Sequence, residues 1–186
     1  RLAIMANQVS SLLPSDPKHR SDFLASSSLL WKRDGILELS YLFYLNRKNT
    51  KSEILLPLAL SKSSRRDELF KNTCFELFVA YPNCDNYWEF NASPNGDWNL
   101  YSFEGYRRGL KTVPSANEPI VNVYFWRNAF CCDIVLNYKP WLTSESLPEY
   151  SMTAVIENSD SSLSYWAPKH FTDVADFHDR RCFIQL

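Results

Sequence analysis

The sequence predicts an all-β protein, an antiparallel β-sandwich of two packed sheets, jelly-roll-like, with little helix. Three observations carry that expectation. The segment Ile36–Leu45 reads ILELSYLFYL, which puts Leu37, Leu39, Tyr41, Phe43 and Leu45 on one face, the period-two pattern of a half-buried strand. Short runs of the same kind recur at Glu53–Leu60, Cys74–Ala80, Asn86–Ala92, Asp97–Phe103, Ile120–Trp126, Ala129–Asn137, Ser151–Glu157, Leu163–Ala167 and Cys182–Leu186. They are rich in β-branched and aromatic residues, which suit a pleated surface. Turn chemistry separates them, and many short strands at close spacing form a sandwich or barrel.

The turns are specific. Tyr81-Pro82-Asn83-Cys84-Asp85 reads as a hairpin loop. In Ser93-Pro94-Asn95-Gly96 the proline sets φ and Asn-Gly accepts positive φ. Arg127-Asn128 turns another hairpin. Helical signals are confined to single turns at 65–73 and 174–180, and 10–20 and 111–119 read as surface loops. No repeat or linker divides the chain, so 1–186 reads as one domain, with 1–29 an N-terminal strand and loop.

Composition narrows the function. With 20 Lys and Arg against 21 Asp and Glu, the net charge is −1, and the basic footprint of a nucleic-acid binder is absent. Only 4 of 186 residues are glycine, and none forms a phosphate-cradling loop. No apolar run approaches the roughly 18 residues of a membrane helix, and no signal-peptide pattern is visible. The expected partner is therefore a small molecule, not nucleic acid or membrane. Cys74, Cys84, Cys131, Cys132 and Cys182 are odd in number and lack CxxC spacing, so neither a zinc site nor a disulfide framework is expected. Free thiols lean towards a reducing compartment, such as the cytoplasm; localisation is otherwise not legible.

Polar and aromatic residues crowd together between 65 and 107. Alternation puts Phe75, Leu77 and Val79 on the core face of their strand and turns Glu76 and Phe78 the other way. In the next strand Trp88 and Phe90 share one face, and Tyr87, Glu89 and Asn91 the other. With residue 76 opposite 89, Glu76, Glu89 and Asn91 converge on one polar, aromatic-rimmed surface; a one-residue slip would send Glu89 to the opposite face. Such a surface suits a sugar, whose ring stacks on an aromatic platform while carboxyl and amide groups meet its hydroxyls. The alternative is a solvated face on which Glu76 and Glu89 pair with Arg66 or Arg107. A second cluster, Tyr165, Trp166, His170, Asp176 and His178, has no metal-ligand spacing.

The motifs Arg66–Phe78, Tyr87–Arg107, Ser164–His170 and Asp176–His178 resemble the DOMON-like proteins, relatives of family 9 carbohydrate-binding modules known mainly from bacteria. Asp34–Leu39 fits the first strand of that pattern, and the likeness covers roughly residues 30–186. The resemblance implies a two-sheet sandwich and a sugar held between two aromatic residues. Phe70, six residues before Glu76, takes the first aromatic position, and Trp166 the second. Those modules carry a basic residue and then Asn in the next strand. Asn91 fits and Glu89 departs; Arg107 stands in for the missing cation. Trp98, His170, Asp176 and His178 complete the expected ligand-binding set. Structural calcium, found in some relatives, has no dense carboxylate loop here.

The resulting expectation is a non-catalytic module for carbohydrate or another small ligand, with no catalytic residue, metal or cofactor. Two alternatives stand beside it. Glu76 and Glu89 could act on a glycoside as a carboxyl pair, joined by Asp176 and His178. Other DOMON domains hold haem, for which Met5, Met152, His19, His170 and His178 are the available ligands.

Overall fold

The computed structural model describes residues 4–45, 62–143 and 146–186. Twelve strands run in chain order: β1 (Ile4–Pro14), β2 (Phe23–Lys32), β3 (Ile36–Leu45), β4 (Cys74–Ala80), β5 (Tyr87–Ala92), β6 (Trp98–Phe103), β7 (Lys111–Thr112), β8 (Ile120–Trp126), β9 (Ala129–Asn137), β10 (Glu149–Glu157), β11 (Leu163–Ala167) and β12 (Ile184–Gln185). The expected strand Glu53–Leu60 lies outside the described residues. Short 3-10 turns at Pro17–Ser21, Leu69–Lys71 and Arg180–Cys182 are the helical elements among the described residues.

The strands form one curled antiparallel sheet, ordered β7-β6-β5-β4-β10-β11-β1-β2-β3-β9-β8, with β12 beside β10. Hydrogen bonding therefore does not break the chain into two separate sheets as expected. β1 makes the join: Ala6–Leu12 pair with β2, and Leu13 and Pro14 pair with Ala167 and Trp166 of β11. The curl lets the two limbs meet through their apolar faces. Phe43 of β3 meets Trp166 of β11 edge-on at 5.6 Å, and Tyr41 meets Phe75 of β4 at 5.0 Å. The Tyr41 hydroxyl donates to the backbone carbonyl of Glu76, so a buried phenol is satisfied across the core.

Several boundaries differ from the sequence expectation. Residues Ser10–Pro14 extend β1 instead of opening a loop. β2 reads FLASSSLLWK, and the serine run Ser26–Ser28 hides its alternation. Phe23, Ala25, Ser27, Leu29 and Trp31 nonetheless point into the core. The turn expected at 174–180 instead forms at Arg180–Cys182, and β12 keeps only two residues of 182–186.

All seven residues of β4 are buried, although only one face of the strand meets the main core. Phe75, Leu77 and Val79 belong to that core. Cys74, Phe78 and Ala80 belong to a second cluster with Tyr87, Phe103, Phe177 and Phe183. The C-terminal segment thus covers part of the outer face of the β4-β5-β6-β10 limb. The candidate site lies there.

Candidate functional site

Strand register sets the floor of the site. Glu76 pairs with Asn91 and Phe78 with Glu89, a two-residue correction to the expected pairing of 76 with 89. The hairpin loop is longer than expected: Ala80 pairs with Tyr87, and 81–86 form the connection, with Asn83 at positive φ. A shift of two preserves strand parity, so Glu76, Glu89 and Asn91 still share a face. Thr153 pairs with Glu76, Glu76 with Asn91, and Asn91 with Asn99. A buried polar row therefore crosses β10, β4, β5 and β6.

Above this row is a cavity of about 620 Å³, within the range of small-molecule sites. Glu76, Phe78, Glu89 and Asn91 line it from β4 and β5, and Tyr101 and Phe103 from β6. Asp67, Glu68 and Phe70 border it on one side, and Tyr165, Phe177 and His178 also line it, with Arg107.

The hydrogen bonds in the polar row are incomplete. Thr153 Oγ1 donates to Glu76 Oε2 at 3.1 Å, and Asn91 Nδ2 donates to Glu89 Oε1 at 2.9 Å. Asn91 is 2% exposed, yet its Oδ1 has no partner. An unpaired buried acceptor costs about 1–3 kcal/mol. A donor placed in the cavity would relieve that cost.

Electrostatics follows from burial. Burial pushes the Glu76 carboxyl well above its usual pKa, the charge of Glu89 adds to the rise, and the Thr153 hydrogen bond opposes it. Glu89 is also raised by burial, with Asn91 and Arg107 pulling it back. His178 Nε2 lies 3.7 Å from Glu89 Oε2, a spacing that an ion pair could have. The contact is not one at pH 7: burial, then the charge of Arg107, holds the imidazole down at about 4, so the ring is neutral.

A network holds the cavity's cationic side. The Arg107 backbone N–H donates to the Tyr87 hydroxyl, which lies 2.7 Å from His178 Nδ1. Asp176 accepts from Tyr106 Oη at 2.5 Å and from the Arg107 guanidinium at 2.8 Å. Burial opposes ionisation of Asp176, but these hydrogen bonds win and its pKa lies below the ordinary value. On the opposite wall Asp67 accepts from Tyr101 at 2.7 Å and from Asn99 at 3.0 Å.

The solvated-pair alternative does not describe Glu76 and Glu89. Both are buried, while Arg66 pairs with Asp97 and Arg107 with Asp176. Of the expected residues, Phe70, Glu76, Glu89, Asn91, Arg107 and His178 line one cavity. Asp176 stands behind Arg107.

Three expected residues lie elsewhere. Trp166 is 1% exposed in the main core, packed against Phe23 and Phe43. It must face inward because its neighbour Tyr165 faces the cavity. Trp98 also faces the main core, with the Arg65 guanidinium 4.2 Å over its ring. His170 is engaged by its Nε2 with the Leu13 carbonyl at 2.8 Å. The sequence reading missed Tyr101, Phe103, Tyr165 and Phe177 as cavity residues. For Tyr165 the signal was available, because alternation sends one of two adjacent strand residues to each face.

Neither described cavity pairs a methionine with a histidine for the haem alternative. His178 shares its cavity with no methionine, and Met152 is buried in the main core. Met5 lines a separate cavity that contains no histidine.

The solved structures give a neighbour for this architecture. A crystal structure from Bacteroides uniformis, of a "putative carbohydrate-binding protein", superposes with a TM-score of 0.63. The match covers 95% of this chain and 84% of that one, at 11% identity. The two chains share a fold. A family 9 carbohydrate-binding module from Caldicellulosiruptor kristjanssonii, solved in complex with glucose, matches at a TM-score of 0.41 and 11% identity. That match covers 77% of this chain and 66% of the other. No protein-family profile and no curated protein sequence matches the chain.

Proposed function

We propose that the protein is a carbohydrate-binding module whose ligand occupies the cavity over Glu76, Glu89 and Asn91. The unpartnered Asn91 Oδ1, buried in the cavity wall, carries this reading. A sugar hydroxyl has the size and donor chemistry to satisfy it. Tyr165, Phe177 and Phe70 supply flat apolar faces for a sugar ring. The carbohydrate-binding name of the Bacteroides uniformis protein, which shares the fold, supports the same ligand class. In this reading the two limbs of the curled sheet correspond to the layers of the sandwich in DOMON-like and family 9 modules, and the chain is one such domain.

The glycoside-acting alternative has less support. Acid–base catalysis by two carboxyls needs environments that push their pKa values apart. Burial pushes both Glu76 and Glu89 upward, Glu76 further because the charge of Glu89 lies beside it, and neither is held below the ordinary carboxyl value as an ionised partner would be. Thermal unfolding in a panel of mono- and disaccharides tests the binding reading. A ligand at 100 times its Kd stabilises by about 2.7 kcal/mol, so at least one sugar at tens of millimolar should raise the midpoint. No shift with any sugar would overturn the reading.

A further inference from the structure

Resting on the carbohydrate-binding reading, we propose that the cavity selects a ligand carrying a protonated amine, an amino sugar, with its ammonium seated against Glu89, Glu76 and Asn91 Oδ1. The cavity's polar groups are unevenly matched. Glu76, Glu89, Asp67 and Glu68 bring four carboxyls to its lining, and Arg107 is the single lysine or arginine there. Arg107 is already paired with Asp176, and Glu68 with Lys71. Among the described residues, neither Glu76 nor Glu89 has a Lys or Arg within ion-pair distance.

The acidic cluster does not stand alone. Asn91, whose buried Oδ1 has no partner, lines the same cavity, and that vacancy is an acceptor's. An ammonium brings three donors and no acceptor, which matches that demand better than a hydroxyl, a donor and acceptor in one. The aromatic residues that line the cavity, among them Phe70, Tyr101, Phe103, Tyr165 and Phe177, favour a cation further wherever a ring face meets it, because the face carries negative charge.

Seating the ammonium has a proton balance. Burial favours the protonated carboxyl at Glu76 and Glu89. An ammonium favours the carboxylate, and a carboxyl that holds its proton before binding gives it up to solvent as the O–H breaks. The carboxylate keeps the electron pair and the ammonium keeps its three protons. A neutral sugar causes no such release.

Calorimetric titration of the full chain at pH 7 with D-glucosamine, D-glucose, N-acetyl-D-glucosamine and ethanolamine, in two buffers of different ionisation enthalpy, tests this. Glucosamine should bind at least tenfold tighter than glucose or N-acetylglucosamine and release a measurable fraction of a proton. Glu89→Gln should remove that preference and the accompanying proton release, with circular dichroism reporting the fold. Equal affinity for glucose and glucosamine overturns the amine preference and leaves the carbohydrate reading standing. Ethanolamine binding as tightly as glucosamine would show an ammonium site indifferent to sugar and overturn the amino-sugar assignment. Saturation by none of the four overturns the amine proposal; the wider saccharide panel then decides the carbohydrate reading separately.

Discussion

The Tyr87 hydroxyl lies 2.7 Å from Nδ1 of His178, and this hydrogen bond ties the imidazole to β5. The phenol oxygen also accepts from the Arg107 backbone N–H, so one hydroxyl joins the His178 and Arg107 segments. The other ring nitrogen, Nε2, faces Glu89 Oε2 at 3.7 Å. A neutral imidazole is built into the wall of the cavity. Its protonation would put a second charge near Arg107, in a buried place.

That arrangement predicts acid sensitivity. His178 has its pKa lowered from 6.5 to about 4, so between these values the unfolded chain binds more protons. Its contribution to stability is complete above pH 6.5 and is lost as pH falls towards 4, roughly 3 kcal/mol in all. Urea denaturation midpoints followed against pH should show a shallower decline over this window in His178→Gln. An identical slope in the variant would mean that His178 titrates freely in the folded protein.

Glu76 predicts the opposite slope. Its folded pKa is raised above the ordinary 4.5, so the folded state holds the proton to higher pH than the unfolded chain. Its contribution falls as pH rises from 4.5 through the raised value. Glu76→Gln copies the shape of the protonated acid. The difference in melting temperature, variant minus wild type, should grow more positive with rising pH. A gap independent of pH would show that Glu76 is not held protonated.

The adjacent residues Tyr165 and Trp166 separate stability from binding. Trp166 is packed in the main core and donates its indole N–H to Ser164 Oγ at 2.9 Å. Trp166→Ala should cost about 3–5 kcal/mol. Tyr165 is 36% exposed at the cavity, edge-on to Phe177. Tyr165→Ala should cost about 1 kcal/mol or less and weaken ligand binding several-fold. Chemical denaturation and titration of the same two proteins check both halves. Ligand affinity lost in a folded Trp166→Phe but kept in Tyr165→Ala would reverse the assignment.

Much of the fold was legible because burial in a sheet writes itself as alternation. Strands β3, β4, β8, β9 and β11 carry the boundaries expected from their periodicity. β2 was hidden where small serines sit on both faces, Ser27 being buried although polar. The curl of the sheet was not legible, because it depends on β1 changing partners between Leu12 and Leu13. No local pattern marks that change.

The site was legible to the same extent. Parity placed Glu76, Glu89 and Asn91 together even though the expected register was two residues out. It could not tell which aromatic residues would close the cavity. Phe177 and His178 reach it from a segment without regular strand structure, where no periodicity applies. The resemblance put Trp166 at the ligand; Trp166 lies in the main core, and its neighbour Tyr165 lines the cavity.

The most direct test is calorimetric titration of a saccharide panel into the wild-type protein and Asn91→Ala, side by side. Calorimetry suits this site because no tryptophan lines the cavity, so indole fluorescence has no direct reporter there. The account predicts saturable heat from at least one saccharide and a loss of at least tenfold, about 1.4 kcal/mol, in Asn91→Ala with the fold intact. Equal affinity in the two proteins, or no saturable heat from any saccharide into the millimolar range, would contradict it.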